Sequence, residues 1–588
     1  MKVFKPCGMS VRRSPRSSIT IRRSSSSITW RNRNGTATGC SDQSAIQTMR
    51  RIRFRRARRV DAPVRRDAIG HAEALLPRFR ECEDAPRAKP NQPLQATAES
   101  GPRLSAKAFG GEREAPVRRD DLCYESTVAL ARRIRTREVS PLQAVNAYIE
   151  RIERVNPQVH SYLHVAADHA REAARRAERA LEDGRELGPL HGVPLAVKDL
   201  FDTAGIPTTC GSPRILGGNV PTRSATVVER LEGAGAVLLG KLHMTEFAFI
   251  AHHPDTRPAL NPWALDRSPG ASSSGSAIAV ACGLASATLG TDTVASIRLP
   301  AAWCGVVGLK PTWGRVSRDG VFPLAASLDH VGPIARSVAD AALLLHCVAG
   351  LDPRDSSTRR QVTPPPEPAP RDDFKGVRIG WDEGFVTTGV MPEVLAAVCA
   401  ARERMEALGA TIVPVELPDL EASLTTFSSV FDIEMRAAHA RFYPARAPEY
   451  GPSARHALAL FSTVDPLAHV GGAVEARAFR HRVDRLFEEI DVLLSPVSPF
   501  TAPPLIGEDQ FIEFFGNDHR NTLRVLRFTC LWDLAATPAI SLPWGFDSNG
   551  LPLAVQLVTR VGTDEALLSI AARLEVEAPD RGRRPPLE

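Results

Sequence analysis

Residues 268–291 read SPGASSSGSAIAVACGLASATLGT, 24 positions without a charged side chain. Taken as a membrane span, this stretch would make the chain an integral membrane protein. Its large aliphatics are confined to Ile278, Val280, Leu284 and Leu289, and the remainder is mostly Gly, Ser and Ala. A span needs about 20 predominantly apolar residues, and this run is too weakly apolar to insert. A Ser/Gly-rich loop running into a buried, closely packed helix is expected instead, with no membrane association.

Working outward, short apolar runs at Val193–Val197 and Ala236–Leu239 alternate with a helical stretch at Ala225–Glu232. That alternation predicts an α/β fold whose sheet is covered on both faces. Ordered pattern starts near Asp120. Ser140 reads as an N-cap, Pro141 as the first helical residue and Gln143 as the capping-box partner. Leu142, Val145, Ile149 and Ile152 then recur at helical spacing, and Asn156-Pro157 is expected to stop the run. A second helix is predicted from about Val165 to Asp183, ending at Gly184. Downstream, Pro364-Pro365-Pro366 with Pro368 and Pro370 marks a stiff connection that either divides the body into two lobes or forms a long loop.

The chain of 588 residues is 43% hydrophobic and 24% charged, which excludes wholesale disorder and fibrous architectures. Its net charge of +7 is unevenly spread. Residues 1–120 hold 27 Lys+Arg and 11 Asp+Glu, whereas the other 468 hold 47 and 56. The body is therefore mildly acidic and gives no reason to expect nucleic-acid binding. Residues 1–119 form a basic extension, expected to be disordered. Its Arg- and Ser-rich start fits a tail, a start placed upstream of Met49, a transit peptide or a nucleic-acid arm, and no function is assigned to it. Residues 120–588 form the folded domain.

Ten cysteines are scattered singly without a CxxC pair. In a chain this long they read as free thiols of a reducing, cytoplasmic compartment. No HExxH, P-loop or GxGxxG occurs, so neither a metal nor a cofactor is expected.

Lysine usage singles out a candidate base. The chain has eight lysines against 66 arginines, and only Lys198, Lys241, Lys310 and Lys375 fall in the body. Arginine keeps its proton in proteins, whereas a buried lysine can lose it and act as a base. Lys198 ends the apolar run Val193–Val197, where burial would lower its pKa toward about 7–8. The competing reading is a plain ion pair with Asp199 or another acid. Ser272, Ser273, Ser274 and Ser276 crowd one loop, and Ser296 follows within Gly290–Arg298. A serine needs a base to become a nucleophile, and Ser-Lys pairing is one solution. No GxSxG elbow is present, and no lysine has a serine three positions before it, so those two hydrolase patterns lose support.

At these residues the chain resembles the amidase signature family. The likeness runs from about Asp121 through Arg560. It is carried by His191-Gly192-Val193-Pro194 through Lys198-Asp199, Lys241 through Ala248, Asn261-Pro262-Trp263, the serine loop, Gly290–Arg298, Gly305 through Thr312, Ser327 through Pro333 and Asp491 through Pro496. The resemblance implies an α/β/α sandwich with a large mixed central sheet. It also implies amide hydrolysis by Ser296 as nucleophile, Ser272 as a bridging serine after a cis peptide, and Lys198 as base. Backbone N–H groups from Thr293 through Val294 and Ala295 to Ser296 would receive the oxyanion. Asp292 and Arg298 would brace the loop and Ser273 would support Ser272, roles that ordinary structural hydrogen bonding would also explain. Cys210, Cys282 and Cys304, near these motifs, read as small core residues.

The chain departs from the family pattern where glycine usually precedes the nucleophile, having Val294 and Ala295, and again at Ala271 and Asp533. Valine at positive φ would be strained, and a displaced N–H would weaken the oxyanion site. Three functions therefore stay open. The first is an amidase acting on a small-molecule carboxamide and releasing ammonia or an amine. The second is the glutamine-hydrolysing component of a tRNA-dependent amidotransferase, which would need partner subunits. The third is a catalytically impaired homologue that binds or scaffolds. A homodimer is left open.

Overall fold

The computed structural model describes residues 119–249, 251–358, 363–505 and 520–587, together with three short strands nearer the start of the chain. The chain divides into two units, Met1–Phe109 and Gly110–Glu588. In the first, Thr20–Ser24 runs antiparallel to Ser27–Arg31, which pairs in turn with Ala37–Thr38. The rest of the basic extension, and with it the expectation of disorder, lies outside the described residues.

The second unit is built on one sheet of eleven strands. In chain order they are β1 (Tyr162–Val165), β2 (Pro194–Lys198), β3 (Val237–Leu242), β4 (Thr288–Asp292), β5 (Val307–Lys310) and β6 (His330–Ala335). Then come β7 (Arg378–Trp381), β8 (Thr411–Pro414), β9 (Val492–Pro496), β10 (Ala539–Phe546) and β11 (Pro552–Val558). Their spatial order is β8-β7-β9-β11-β10-β5-β6-β4-β2-β3-β1. β3, β2 and β4 run parallel, as do β8, β7 and β9, while the pairs between them are antiparallel. The sheet is mixed, and every residue of β2 through β6, β9 and β11 is buried. Strands buried along their whole length are covered on both faces, which makes this an α/β/α sandwich. The sheet is continuous across the proline-rich segment, so that segment is a loop and not a boundary between lobes.

The helices that position the site are α1 (Pro141–Val159), α2 (Ala167–Glu182), α3 (Thr226–Gly233), α4 (Ser274–Ala281), α5 (Arg298–Cys304), α6 (Leu420–Ala438), α7 (Pro466–Glu489) and α8 (Arg527–Leu534). α1 carries the expected capping box between Ser140 and Gln143. It continues past Asn156-Pro157 to Val159 and ends at His160, in the left-handed region at φ 52. Pro157 falls in the last turn, where its missing N–H leaves just one carbonyl unpaired, so it does not stop the helix. α2 starts later than expected because Val165 is drawn into β1 opposite Gly240.

The uncharged stretch resolves as a loop into α4, whose eight residues are all buried, followed by a turn and β4. Among the described residues no helix is long and apolar enough to cross a membrane, and no cluster of side chains could hold a metal ion. All seven described cysteines are free. Most of the apolar core is one continuous cluster. A second, smaller one gathers Ala295, Leu299, Ala302, Trp303, Val497 and Leu551 with their neighbours.

Candidate active site

β2 and β4 are parallel neighbours, with Ala196 opposite Thr288 and Val197 opposite Leu289. Their carboxyl ends, Lys198 and Thr291-Asp292, therefore lie at one edge of the sheet, where open α/β sheets place their ligands. The serine loop and the Ser296 turn meet there, since the Ser273 N–H donates to the Ser296 carbonyl at 3.3 Å.

Geometry separates the four body lysines. Lys198 is fully buried, and its Nζ donates to Ser272 Oγ at 2.7 Å and to Thr291 Oγ1 at 2.8 Å. Asp199, its alternative partner, is taken by Lys241 at 3.4 Å. Lys241 also donates to the Phe201 carbonyl at 2.7 Å and to Thr208 Oγ1 at 2.6 Å. Lys310 donates to the Thr537 carbonyl, and Lys375 pairs at the surface with Asp373. Burial pushes Lys198 down to about 7, outweighing the pull of Asp292 and Asp329 in the other direction. Lys310 is likewise pushed down by burial, to about 8, but contacts no serine of the loop. Lys198 is thus the lysine that is both able to be neutral near pH 7 and bonded to a serine.

The peptide between Ala271 and Ser272 is cis. Ser273 Oγ donates to the Thr291 carbonyl at 3.2 Å and accepts the Thr291 N–H at 3.4 Å, tying the serine loop to β4. Gly290 gives room for this contact, because a Cβ there would lie 2.8 Å from Ser273 Oγ. Ser296 is 8% exposed, whereas Ser272 is fully buried. Among the described residues no hydrogen bond joins the Ser272 and Ser296 hydroxyls, and the N–H groups of Val294, Ala295 and Ser296 donate to no acceptor.

No residue from Thr293 to Ser296 has a positive φ, nor does Ala271. The strain expected of Val294 and Ala295 therefore does not arise, and this turn does not depend on glycine. Its shape is held from outside. Arg298 Nε and Nη2 grip Asp292 at 2.9 and 3.0 Å, and Nη2 reaches Asp533 at 2.6 Å. Arg298 Nη1 donates to Gln556 Oε1 and to the Thr529 carbonyl, both at 3.0 Å. Asp292 Oδ2 accepts the N–H groups of Ile297 and Arg298, closing the turn after Ser296. Burial pushes the Asp292 carboxyl up, but Arg298 overrides it and holds the group below its usual range. Burial, reinforced by Asp292, holds Asp533 well above that range. Thr293 Oγ1 donates to Asp329 at 2.7 Å, linking the turn to Ser327-Leu328-Asp329.

Sequence reasoning overlooked Thr291, Asp329 and Gln556. Thr291 had a readable signal: it is a hydroxyl residue near the end of a buried strand, where each polar group needs a partner. It also lines a cavity of about 330 Å³ beside Lys198, together with Leu200, Phe322, Arg318, Asp329 and Asp355. Thr291→Val is expected to lower kcat about 10-fold or more while Thr291→Ser retains activity, because one hydrogen bond orienting Lys198 is lost and then restored. Steady-state kinetics of the pair checks this, and equal losses would show that the hydroxyl is not what matters.

These elements define the class of protein. A family profile described as Amidase matches residues 143–568. The chain belongs to the amidase family. Among its relatives is the A-type subunit of the glutamyl-tRNA(Gln) amidotransferase of Synechococcus sp. (strain WH7803). The two are 38% identical over 482 residues, covering 76% of this chain and 96% of the relative. A solved chain from a vestigial complex linked to the origins of an s-triazine catabolic enzyme superimposes with a TM-score of 0.71 at 29% identity, covering 77% of this chain and 98% of that one. The 6-aminohexanoate cyclic dimer hydrolase, solved with its substrate, gives 0.70 at 28% identity, covering 79% and 99%.

Proposed function

We propose that the protein hydrolyses a carboxylic acid amide through an acyl-enzyme on Ser296, releasing ammonia or an amine. The observation that carries this reading is the buried Lys198–Ser272 hydrogen bond of 2.7 Å beside the Ser296 turn. Neutral Lys198 takes the Ser272 proton as Ser272 takes that of Ser296, whose oxygen attacks the amide carbonyl carbon. Negative charge gathers on the carbonyl oxygen, where the free N–H groups of the 294–296 turn stabilise it. The C–N bond breaks as the proton returns through Ser272 to the leaving nitrogen. Water then adds to the acyl-enzyme by the same relay and frees the acid. The Ser296-to-Ser272 hydrogen bond forms as substrate binds, since catalytic contacts commonly tighten only in the complex.

Intact-protein mass spectrometry after treatment with a small fluorophosphonate tests the reading. One adduct is expected on the wild type and none on Ser296→Ala. A wild type that stays unlabelled while folded would remove it. The name of the Synechococcus relative supports a second reading, a glutaminase that works as one component of a larger assembly. Glutaminase activity that requires a co-purifying protein would establish that one.

A further inference from the structure

Resting on the amide-hydrolase reading, we infer that Asp329 is a positioning residue of this site. It fixes the 293–296 turn through Thr293, and its negative charge sets the pH range over which Lys198 serves as base. The register of β6 on β4 places it. His330 pairs with Asp292 in antiparallel register, so Asp329, just ahead of β6, lies across from Thr293, just past β4. Thr293 Oγ1 donates to Asp329 Oδ1 at 2.7 Å. The Ala325 N–H donates to Oδ1 and the Leu324 N–H to Oδ2, both at 3.0 Å. On the other side of Asp292, Thr291 receives the Lys198 ammonium. Base and carboxylate are thus tied to hydroxyls that flank one residue, and Thr291 and Asp329 line the same cavity.

Charge pairing separates Asp329 from its neighbours. Asp292 and Asp533 are ion-paired with Arg298, and Asp199 with Lys241. Asp329 is 8% exposed, its three donors are uncharged, and among the described residues no cation lies within 4.0 Å of it. Lys198, fully buried, has no acid within that distance either. A buried charge without a counter-ion is costly, so each group favours the charged form of the other across the turn. The acids that pull on Lys198 are Asp292 and Asp329, while burial holds the nearby Cys210 thiol protonated. Asp292 has the larger pull, but Arg298 sits on the same carboxylate and offsets it. Asp329 has no such offset in contact with it. Arg318, the cation that faces it, lies 3.6 Å from Asp355. Burial pushes the Asp329 carboxyl up, and its hydrogen bonds oppose that push.

The test follows the rate of Ser296 labelling by a small fluorophosphonate from about pH 5 to 9 in the wild type, Asp329→Asn, Asp329→Glu and Thr293→Val. Loss of the negative charge disfavours the ammonium form of Lys198. The inflection expected near 7 should therefore fall by about 0.5–1 pH unit in Asp329→Asn. Asp329→Glu keeps the charge and is expected to keep the inflection. Thr293→Val keeps the carboxylate but frees the turn, and labelling on the alkaline plateau should slow about 10-fold. If Asp329→Asn does not fold, Asp329→Ser gives the same reading, since it sets no amide against the Leu324 and Ala325 N–H groups. An inflection that stays put in a folded neutral variant overturns the inference. So does one that falls equally in Asp329→Glu, or a Thr293→Val plateau equal to that of the wild type. A folded wild type that takes no label is a separate failure, since it removes the amide-hydrolase reading itself.

Discussion

Lys198→Arg is expected to be as inactive as Lys198→Ala, each losing about 10⁴-fold in kcat/KM. Arginine preserves the positive charge and the capacity to donate to Ser272 and Thr291, so an electrostatic or structural role for Lys198 would survive the change. A base would not, because guanidinium keeps its proton. Retention of more than about a tenth of wild-type turnover in Lys198→Arg would eliminate the relay. The pH dependence follows from the same group. Burial holds Lys198 near 7, so kcat/KM of the wild type should climb tenfold per pH unit below that value and level off above it. Stability moves in the same direction. The folded chain sheds this proton near 7, while the unfolded chain keeps it to about 10.4. Between those values the unfolded state binds more protons, so the Lys198 contribution makes unfolding less favourable as pH rises. Lys198→Met should remove that slope from urea unfolding curves collected between pH 7 and 10.

The placement of one site residue was legible in the sequence for a physical reason: lysine is a residue type that the chain otherwise avoids. Lysine is scarce here, so Lys198 stood out before any geometry was known. The uncharged stretch was expected to be a Ser/Gly-rich loop running into a buried helix, and the structure has that loop leading into α4, which takes in Ser274 and Ser276. The order of strands was not legible, because β2 lies between β3 and β4, and β10 pairs with β5 across more than two hundred residues of intervening chain. Such pairings are fixed by tertiary burial and leave no local pattern. Pro157 misled in the opposite direction, since a proline in the last turn of a helix looks in sequence like a proline that ends one. The effect of Val294 and Ala295 could not be read either. Whether a residue before Ser296 needs positive φ depends on the backbone path, and here Asp292 and Arg298 hold a path that avoids it.

Arg298 is accordingly the residue whose loss should most damage the fold of the site. Arg298→Met is expected to destabilise the domain by about 3–5 kcal/mol, since it leaves Asp292 buried without the guanidinium that is the largest influence holding it ionised. Asp292 would then gain a proton or turn toward water. Either change weakens its hold on the N–H groups of Ile297 and Arg298, and the Ser296 turn opens with it. Asp533→Asn is the informative contrast. It touches the same guanidinium at 2.6 Å, yet burial and Asp292 already hold that carboxyl far above its usual range. Replacing it by a neutral amide of the same shape removes little charge and keeps an oxygen to accept from Arg298, so a change within about 1 kcal/mol is expected. Chemical unfolding of the two variants beside the wild type measures both. If Asp533→Asn proves as damaging as Arg298→Met, then Asp533 is ionised in the folded chain, and the guanidinium is held by two carboxylates and not by Asp292 alone. If neither variant is destabilised, the turn before α5 keeps its shape through packing of Ala295 and Leu299 in the small apolar cluster. The buried ion pair would then serve the orientation of Ser296, and its removal would appear in kcat instead.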